Sequence, residues 1–220
     1  MRSRLLAIAV VLLASACSGA SARGKTAADD GHGRATIVFL GDSNISFALT
    51  PVAFALTESD PSFAIVDVAR ASTGIRAPTN YWKVRVQEVL ARTEPDGFVV
   101  NLGINDTHLP GSVDTKGYAE YGTKVDWLMQ LLPKKVPVWW TNLPCDLEPQ
   151  NRVVGCGAVN AALAQAPSRW PNLTVLDFAA VARGHHDYLL KDTGAVHLAG
   201  PGATAWADLV SKALVERFPA

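Results

Sequence analysis

The sequence predicts an α/β fold, a three-layer α/β/α sandwich around a five-stranded parallel sheet. From residue 35 onward, short runs rich in β-formers alternate with stretches of helical period, the pattern of strands joined by crossover helices. Each short run is also nearly continuous in apolar residues, as required of strands covered on both faces.

The first strand is expected over residues 35–40, where Ala35-Thr36-Ile37-Val38-Phe39-Leu40 breaks into Gly41-Asp42-Ser43-Asn44, with a helix beginning near Asn44. The second runs from Phe63 to Ala69 and leads into a loop carrying Gly74. A helix follows, because Trp82, Val86, Val89 and Leu90 share one face. The third strand is Phe98 to Leu102, followed by a loop with Asn105 and by a helix whose apolar face holds Tyr118, Tyr121, Val125, Leu128, Met129 and Leu132. Strands four and five are Val136 to Thr141 and Leu173 to Phe178. The last helix starts after Pro201, a residue preorganised for a first helical turn, and shows Trp206, Leu209, Val210, Ala213 and Leu214 at the same period. In such a sheet, functional groups gather at the carboxyl ends of the strands. Ser43, Gly74 and Asn105 follow strands one, two and three, so three loops are expected to converge on one edge.

Ahead of this domain, residues 1–16 combine Arg2 and Arg4, the apolar stretch Leu5 to Leu13, and Ala14-Ser15-Ala16 before Cys17, the layout of an export signal. That apolar stretch is shorter than the roughly 20 residues a spanning helix needs, and no later stretch meets the requirement. Cys17 after small residues resembles the lipobox of bacterial lipoproteins, with Ala14 where Leu is usual, so Cys17 is expected to carry a lipid anchor at the outer face of the cytoplasmic membrane. The alternative is cleavage after Ala16 and release. Residues 17–34, rich in Gly, Ser, Ala and charge, read as a tether, and residues 35–220 as one domain. An exported chain meets an oxidising compartment, so Cys145 and Cys156 are expected to be bonded rather than free buried thiols. Removing residues 1–16 takes away two basic residues and no acidic one. That leaves 18 basic against 20 acidic residues, a net charge of about −2, with no electrostatic reason to expect a nucleic-acid partner.

Gly-Asp-Ser-Asn is by itself ordinary turn chemistry. Combined with a strand exit and with His197 in Val196-His197-Leu198 near the far end, it suggests a serine nucleophile and its base. A serine hydroxyl needs a base within hydrogen-bond reach and donors for the oxyanion its attack creates. Ser43 at the start of a helix would present its own amide and the helix amino end to that charge. Asn105 can donate through its NH₂, where Asp could not. Asp42 and Asp106 read as loop and helix-cap acceptors. His185 and His186 read as solvated, and His108 as either pocket-lining or exposed. The scattered histidines and paired cysteines offer no metal site, and no cofactor is expected. The loop after strand one also lacks the small hydroxyl and glycine residues that would cradle a phosphate or flavin.

Four segments resemble the SGNH hydrolases, also called the GDSL esterase and lipase family. They are Gly41-Asp42-Ser43, Gly74 in Ala71-Ser72-Thr73-Gly74, Gly103-Ile104-Asn105-Asp106, and Val196-His197-Leu198 with Pro201-Gly202 behind it, in the family's order and spacing. The resemblance implies a flavodoxin-like sheet and ester hydrolysis, with Ser43 as nucleophile and His197 as base. It also implies an oxyanion hole from the Ser43 amide, the Gly74 amide and the Asn105 side chain. The family places Asp three residues before its His, where this chain has Gly194; the nearest carboxylate is Asp192. Three arrangements follow: Asp192 reaches the imidazole through a bulged loop, a backbone carbonyl takes its place, or the site is impaired. Asp192 is taken as the third catalytic residue.

The expected activity is that of an exported esterase on short-chain or carbohydrate O-acyl esters. Asn160-Ala161-Ala162-Leu163, Trp170-Pro171-Asn172-Leu173 and Asp177-Phe178 are also similar to SGNH domains of envelope sugar acyltransferases. Acyl transfer to a sugar is therefore one alternative, and a non-catalytic envelope binding protein is another. The expected partners are a small-molecule or glycan ester and, through Cys17 alone, the membrane.

Overall fold

The computed structural model describes residues 35–59, 63–76, 80–107, 115–147, 150–190 and 197–219. Five parallel strands, β1 (Ala35–Gly41), β2 (Phe63–Asp67), β3 (Gly97–Asn101), β4 (Val138–Thr141) and β5 (Leu173–Leu176), form one sheet in the order β2-β1-β3-β4-β5. All five fall where the sequence places them, but β2 ends at Asp67, β3 starts and ends one residue early, and β5 stops at Leu176 because Asp177 caps a short helix that starts at Phe178. β4 starts two residues late because Val136 donates back to Pro133 in a turn and Pro137 has no N–H for the ladder.

Alternation along each strand divides the core into two layers. Val38, Leu40, Phe98, Val100, Val138 and Trp140 face one side. There they meet α2 (Tyr81–Leu90), α3 (Thr115–Leu131) and α4 (Gln150–Gln165) through Trp82, Val86, Tyr121, Val125, Leu128, Val159 and Leu163. Ile37, Phe39, Val99 and Trp139 face the other side. Their partners are Ile45, Val52 and Leu56 of α1 (Ser43–Ser59), Phe178 of α5 (Phe178–Ala182), and Trp206, Val210 and Leu214 of α6 (Gly200–Arg217). The arrangement is the predicted three-layer α/β/α sandwich. Burying a single side chain of this size is worth about 1.5–3 kcal/mol, so the two layers are the main support of the fold.

α4 was not legible from periodicity, because its Gly, Ala and Val residues form no single apolar stripe. Packing explains the small residues. A Cβ at Gly155 would sit 2.8 Å from the Thr107 carbonyl oxygen, so glycine lets α4 press against the chain that follows β3. Cys145 and Cys156 are joined in a disulfide with Cα atoms 5.5 Å apart, tying the β4–α4 connection to α4. Asn160 adds a second tie, accepting from the Leu143 N–H and donating to the Leu143 carbonyl, both at 2.8 Å. Among the described residues, no helix is long and apolar enough to cross a membrane.

The short loop closed by this disulfide supports a prediction of stability. The Cys145→Ser/Cys156→Ser double variant is expected to lose about 3 kcal/mol on the chain-entropy account, read from denaturant melts of oxidised parent and variant. Coincident melts would show that the bridge contributes nothing to stability.

Candidate active site

The interior strand β1 delivers the first group. Its last residue, Gly41, has no room for a side chain: a Cβ would lie 2.2 Å from Ile45 Cγ1 and 2.8 Å from the Asn101 carbonyl oxygen. The chain then turns at Asp42 and enters α1 at Ser43, which is half-buried. Asp42 caps the helix, its Oδ1 accepting from the Asn44 N–H at 2.9 Å. Ser43 therefore stands in the first turn of a 17-residue helix, where N–H groups lack intrahelical partners.

The His197 segment is drawn to the same place by Asn44. The Leu198 N–H donates to Asn44 Oδ1 at 2.9 Å, across 154 residues of sequence. Residues 197–199 also run antiparallel to residues 188–190, with Leu190 N–H to the His197 carbonyl at 2.9 Å and Ala199 N–H to the Tyr188 carbonyl at 2.7 Å. Gly202 is needed for this approach, since a Cβ there would meet the Tyr188 carbonyl oxygen at 2.2 Å. The His197 ring lies 5.5 Å from that of Phe47, one turn into α1, and Phe47 remains 48% exposed. Its Nδ1 is buried and has no hydrogen-bond partner among the described residues.

Asn105 lies in a 3-10 turn, Ile104–Asp106, after β3. Gly103 opens that turn at φ +143°, a conformation that favours glycine, beside the Tyr121 hydroxyl and Val159. Asn105 Nδ2 donates to Asp42 Oδ2 at 3.1 Å and to the Thr73 carbonyl at 3.0 Å. One amide thus joins the loops after β1, β2 and β3. On the β2 side, the Gly74 carbonyl accepts from Trp82 Nε1 at 2.9 Å, and Ser72 takes φ +59°, unusual for a residue with a side chain.

Ser43, Gly74, Asn105 and the His197 segment therefore converge at the carboxyl end of the sheet, next to the β1/β3 switch point. The family model described as "Protein of unknown function (DUF459)" matches residues 36–204. The chain belongs to that family. No curated protein is detectably similar to it in sequence. Among solved structures, this DUF459 chain is similar to a lipase/acylhydrolase from Enterococcus faecalis, with TM-score 0.68 and 17% identity over 83% of this chain and 96% of that one. It is also similar to the C-terminal catalytic domain of peptidoglycan O-acetyltransferase A from Streptococcus pneumoniae, with TM-score 0.60 and 20% identity over 83% and 94%. A member of the lipolytic protein G-D-S-L family from Veillonella parvula matches with TM-score 0.59 and 14% identity over 83% and 97%. At these identities the likeness shows the fold, and the fold is that of the SGNH hydrolases.

Asp192, Gly194 and His108 lie outside the described residues, as do Cys17 and the rest of residues 1–34. His185 and His186 are exposed, as expected, with His185 stacked on Tyr188. No group of three or more metal-ligating side chains occurs among the described residues. Two residues at this edge of the sheet have no distinguishing signal in the sequence. Asn44 was read as part of a turn, and its bond to Leu198 has no local signal. Phe47 was one apolar helix residue among several. Asp42 and Asp106 are the backbone acceptors expected, Asp42 at the helix start and Asp106 for a loop; what the sequence does not show is that the Asp106 partners lie across on the Gly74 loop.

Asp42 is fully buried, and burial is the main reason its pKa is pushed up to about 7. The Asn44 and Asn105 bonds pull it back down, while Asp106 raises it. A carboxyl raised in this way favours the fold when neutral. Its contribution is complete below the unfolded value near 3.8 and is lost as pH rises through about 7. Asp42→Asn is therefore expected to gain stability relative to the parent across that window, by about 1.4 kcal/mol per pH unit. Urea melts of both proteins at pH 4, 5.5 and 7 read the difference; a constant offset would show that Asp42 titrates normally. Asn44→Ala leaves the buried Leu198 N–H without its acceptor and is expected to cost about 1–3 kcal/mol by the same melts.

Proposed function

We propose that this protein is an exported serine esterase that hydrolyses short-chain or carbohydrate O-acyl esters through an acyl-Ser43 intermediate. The observation that carries this reading is the Leu198–Asn44 hydrogen bond, which sets the residue after His197 against the residue after Ser43. A base beside a hydroxyl at a helix amino end is what acyl transfer requires. His197 takes the Ser43 proton as Oγ attacks the ester carbonyl, and the tetrahedral oxyanion is met by the Ser43 amide, the Gly74 amide and Asn105 Nδ2. Both Nδ2 hydrogens already have acceptors, the Asp42 carboxyl and the Thr73 carbonyl, so Asn105 has to share one of them with the oxyanion. Collapse expels the alcohol, which takes the proton from His197. Water, activated by the same imidazole, then releases the acid.

The buried Nδ1 of His197 is the atom an orienting carboxylate would meet, and we assign that role to Asp192. Phe47 is exposed beside the imidazole that would protonate the leaving oxygen, and we assign to it contact with the alcohol portion of the ester. Export through residues 1–16 and anchoring at Cys17 belong to the same proposal, and a disulfide between Cys145 and Cys156 suits an oxidising compartment. A second reading, acyl transfer to an envelope sugar, draws support from the similarity to the peptidoglycan O-acetyltransferase domain, because an alcohol can intercept the same acyl-enzyme in place of water.

Protein starting at residue 18 is expected to hydrolyse p-nitrophenyl acetate and to be labelled at Ser43 by a fluorophosphonate. Ser43→Ala and His197→Ala should abolish both, and Asn105→Ala should lower kcat by about 10²–10³. An unlabelled, inactive and folded parent would move the assignment to a binding protein, and products appearing only with a sugar acceptor would move it to a transferase. Asp192→Ala is expected to lose activity by up to about 10⁴-fold; near-full activity would exclude Asp192. Phe47→Ala is expected to raise KM for esters of bulky alcohols more than for ethyl acetate.

A further inference from the structure

Asp106 is 1% exposed, and its carboxylate serves a loop thirty residues away. Oδ2 accepts from the Ile75 N–H at 3.0 Å and Oδ1 from the Arg76 N–H at 3.1 Å. The same carboxylate lies flat against Gly74: a Cβ built there would fall 2.3 Å from Oδ1 and 2.6 Å from both Cγ and Oδ2. Glycine at position 74 is thus required by Asp106, whatever its part in chemistry. On the other side of the loop, Asn105 holds the Thr73 carbonyl and Trp82 the Gly74 carbonyl. Residues 73–76 therefore have four of their backbone polar groups held by three side chains, two of which are adjacent in sequence.

This clamp is strongest with Asp106 in its charged form. A carboxylate accepts on both oxygens without restriction, whereas the acid turns one oxygen into a donor. The groups facing it are Arg76, which favours the charge, and Glu120, which opposes it and pairs with Arg76 at 2.9 Å. Asp42 lies across Asn105, and the Tyr121 phenol is held neutral by burial and by both carboxylates. Burial is the largest influence on Asp106 and lifts its pKa to about 6.

We propose that Asp106 is a positioning residue for acyl transfer at Ser43: its carboxylate locks the Gly74 loop against the Asn105 turn, so that the oxyanion donors assigned to both keep their places relative to the nucleophile. The inference rests on the esterase reading above. Oxyanion donors act by being held in place before charge develops, so a loosened loop lowers the rate of attack without weakening substrate binding.

The test is Asp106→Asn, which keeps the shape of the side chain but only one accepting oxygen. The expected result is a kcat for p-nitrophenyl acetate about 10- to 100-fold below the parent, KM within twofold, and Ser43 labelling by a fluorophosphonate slowed by the same factor. A merely structural residue would instead lower the melting temperature and the active fraction together, leaving the labelling rate of the folded protein unchanged. A folded variant with parental kcat and labelling rate overturns the proposal. Hydrogen exchange on the parent supplies the measurement if the variant does not fold. The protection factors of the Ile75 and Arg76 amides are expected to fall at least severalfold from pH 7.5 to pH 5, and equal protection at the two pH values overturns the clamp. A parent that is never labelled at Ser43 sinks the esterase reading and the catalytic part of this proposal with it; a labelled parent with an unaffected variant sinks this proposal alone.

Discussion

The side-chain amide of Asn105 is the contact on which the rest of the site depends. It binds a carboxylate of the loop after β1 and a carbonyl of the loop after β2, while its own backbone sits in the turn after β3. Buried polar groups must find partners, and here each partner belongs to a different crossover. The three loops are therefore held to one arrangement, and the sheet below, with β1 and β3 side by side, sets the distance the amide has to span. Removing such a contact leaves a buried acceptor on each side, which costs more than the bond gains.

Two carboxyl groups, Asp42 and Asp106, lie under this arrangement with raised pKa values, and both are engaged by backbone N–H groups. Their burial is unfavourable to the folded state when they are charged. It persists at the point where the chain gathers polar loops over a nucleophile candidate, a place where stability is often given up for geometry. The positive φ of Ser72 lies in the loop after β2 that Asp106 holds, and that of Gly103 opens the turn that carries Asp106.

The His197 side of the site is built differently. The His197 segment is held by a short antiparallel pairing with residues 188–190 and by Asn44, and the Phe47 ring lies tilted against the imidazole. The α6 helix begins three residues after His197 and packs on α1, so the elements bearing Ser43 and His197 share one apolar layer. The two groups of loops that flank the start of α1 thus have separate supports.

How much of this was written in the chain itself varies by element. The strands were legible because continuous apolar runs of four to seven residues bounded by turn formers have few other uses, and α2, α3 and α6 because their large side chains repeat at helical period. The motif residues stood out because strand exits place polar and glycine residues where a sheet ends. α4 was hidden, since its small residues answer to Thr107 and to the disulfide rather than to an apolar face. Asn44, Phe47 and the true partner of Asp106 were hidden for the same kind of reason: a side chain's local propensity carries no trace of a contact 30 or 154 residues away. Local pattern determines which segments become strands and helices, because propensity and periodicity act over a few residues. Which loops meet, and what each polar side chain holds, is decided only once the sheet order and the packing of both helical layers bring distant backbone groups within hydrogen-bond reach.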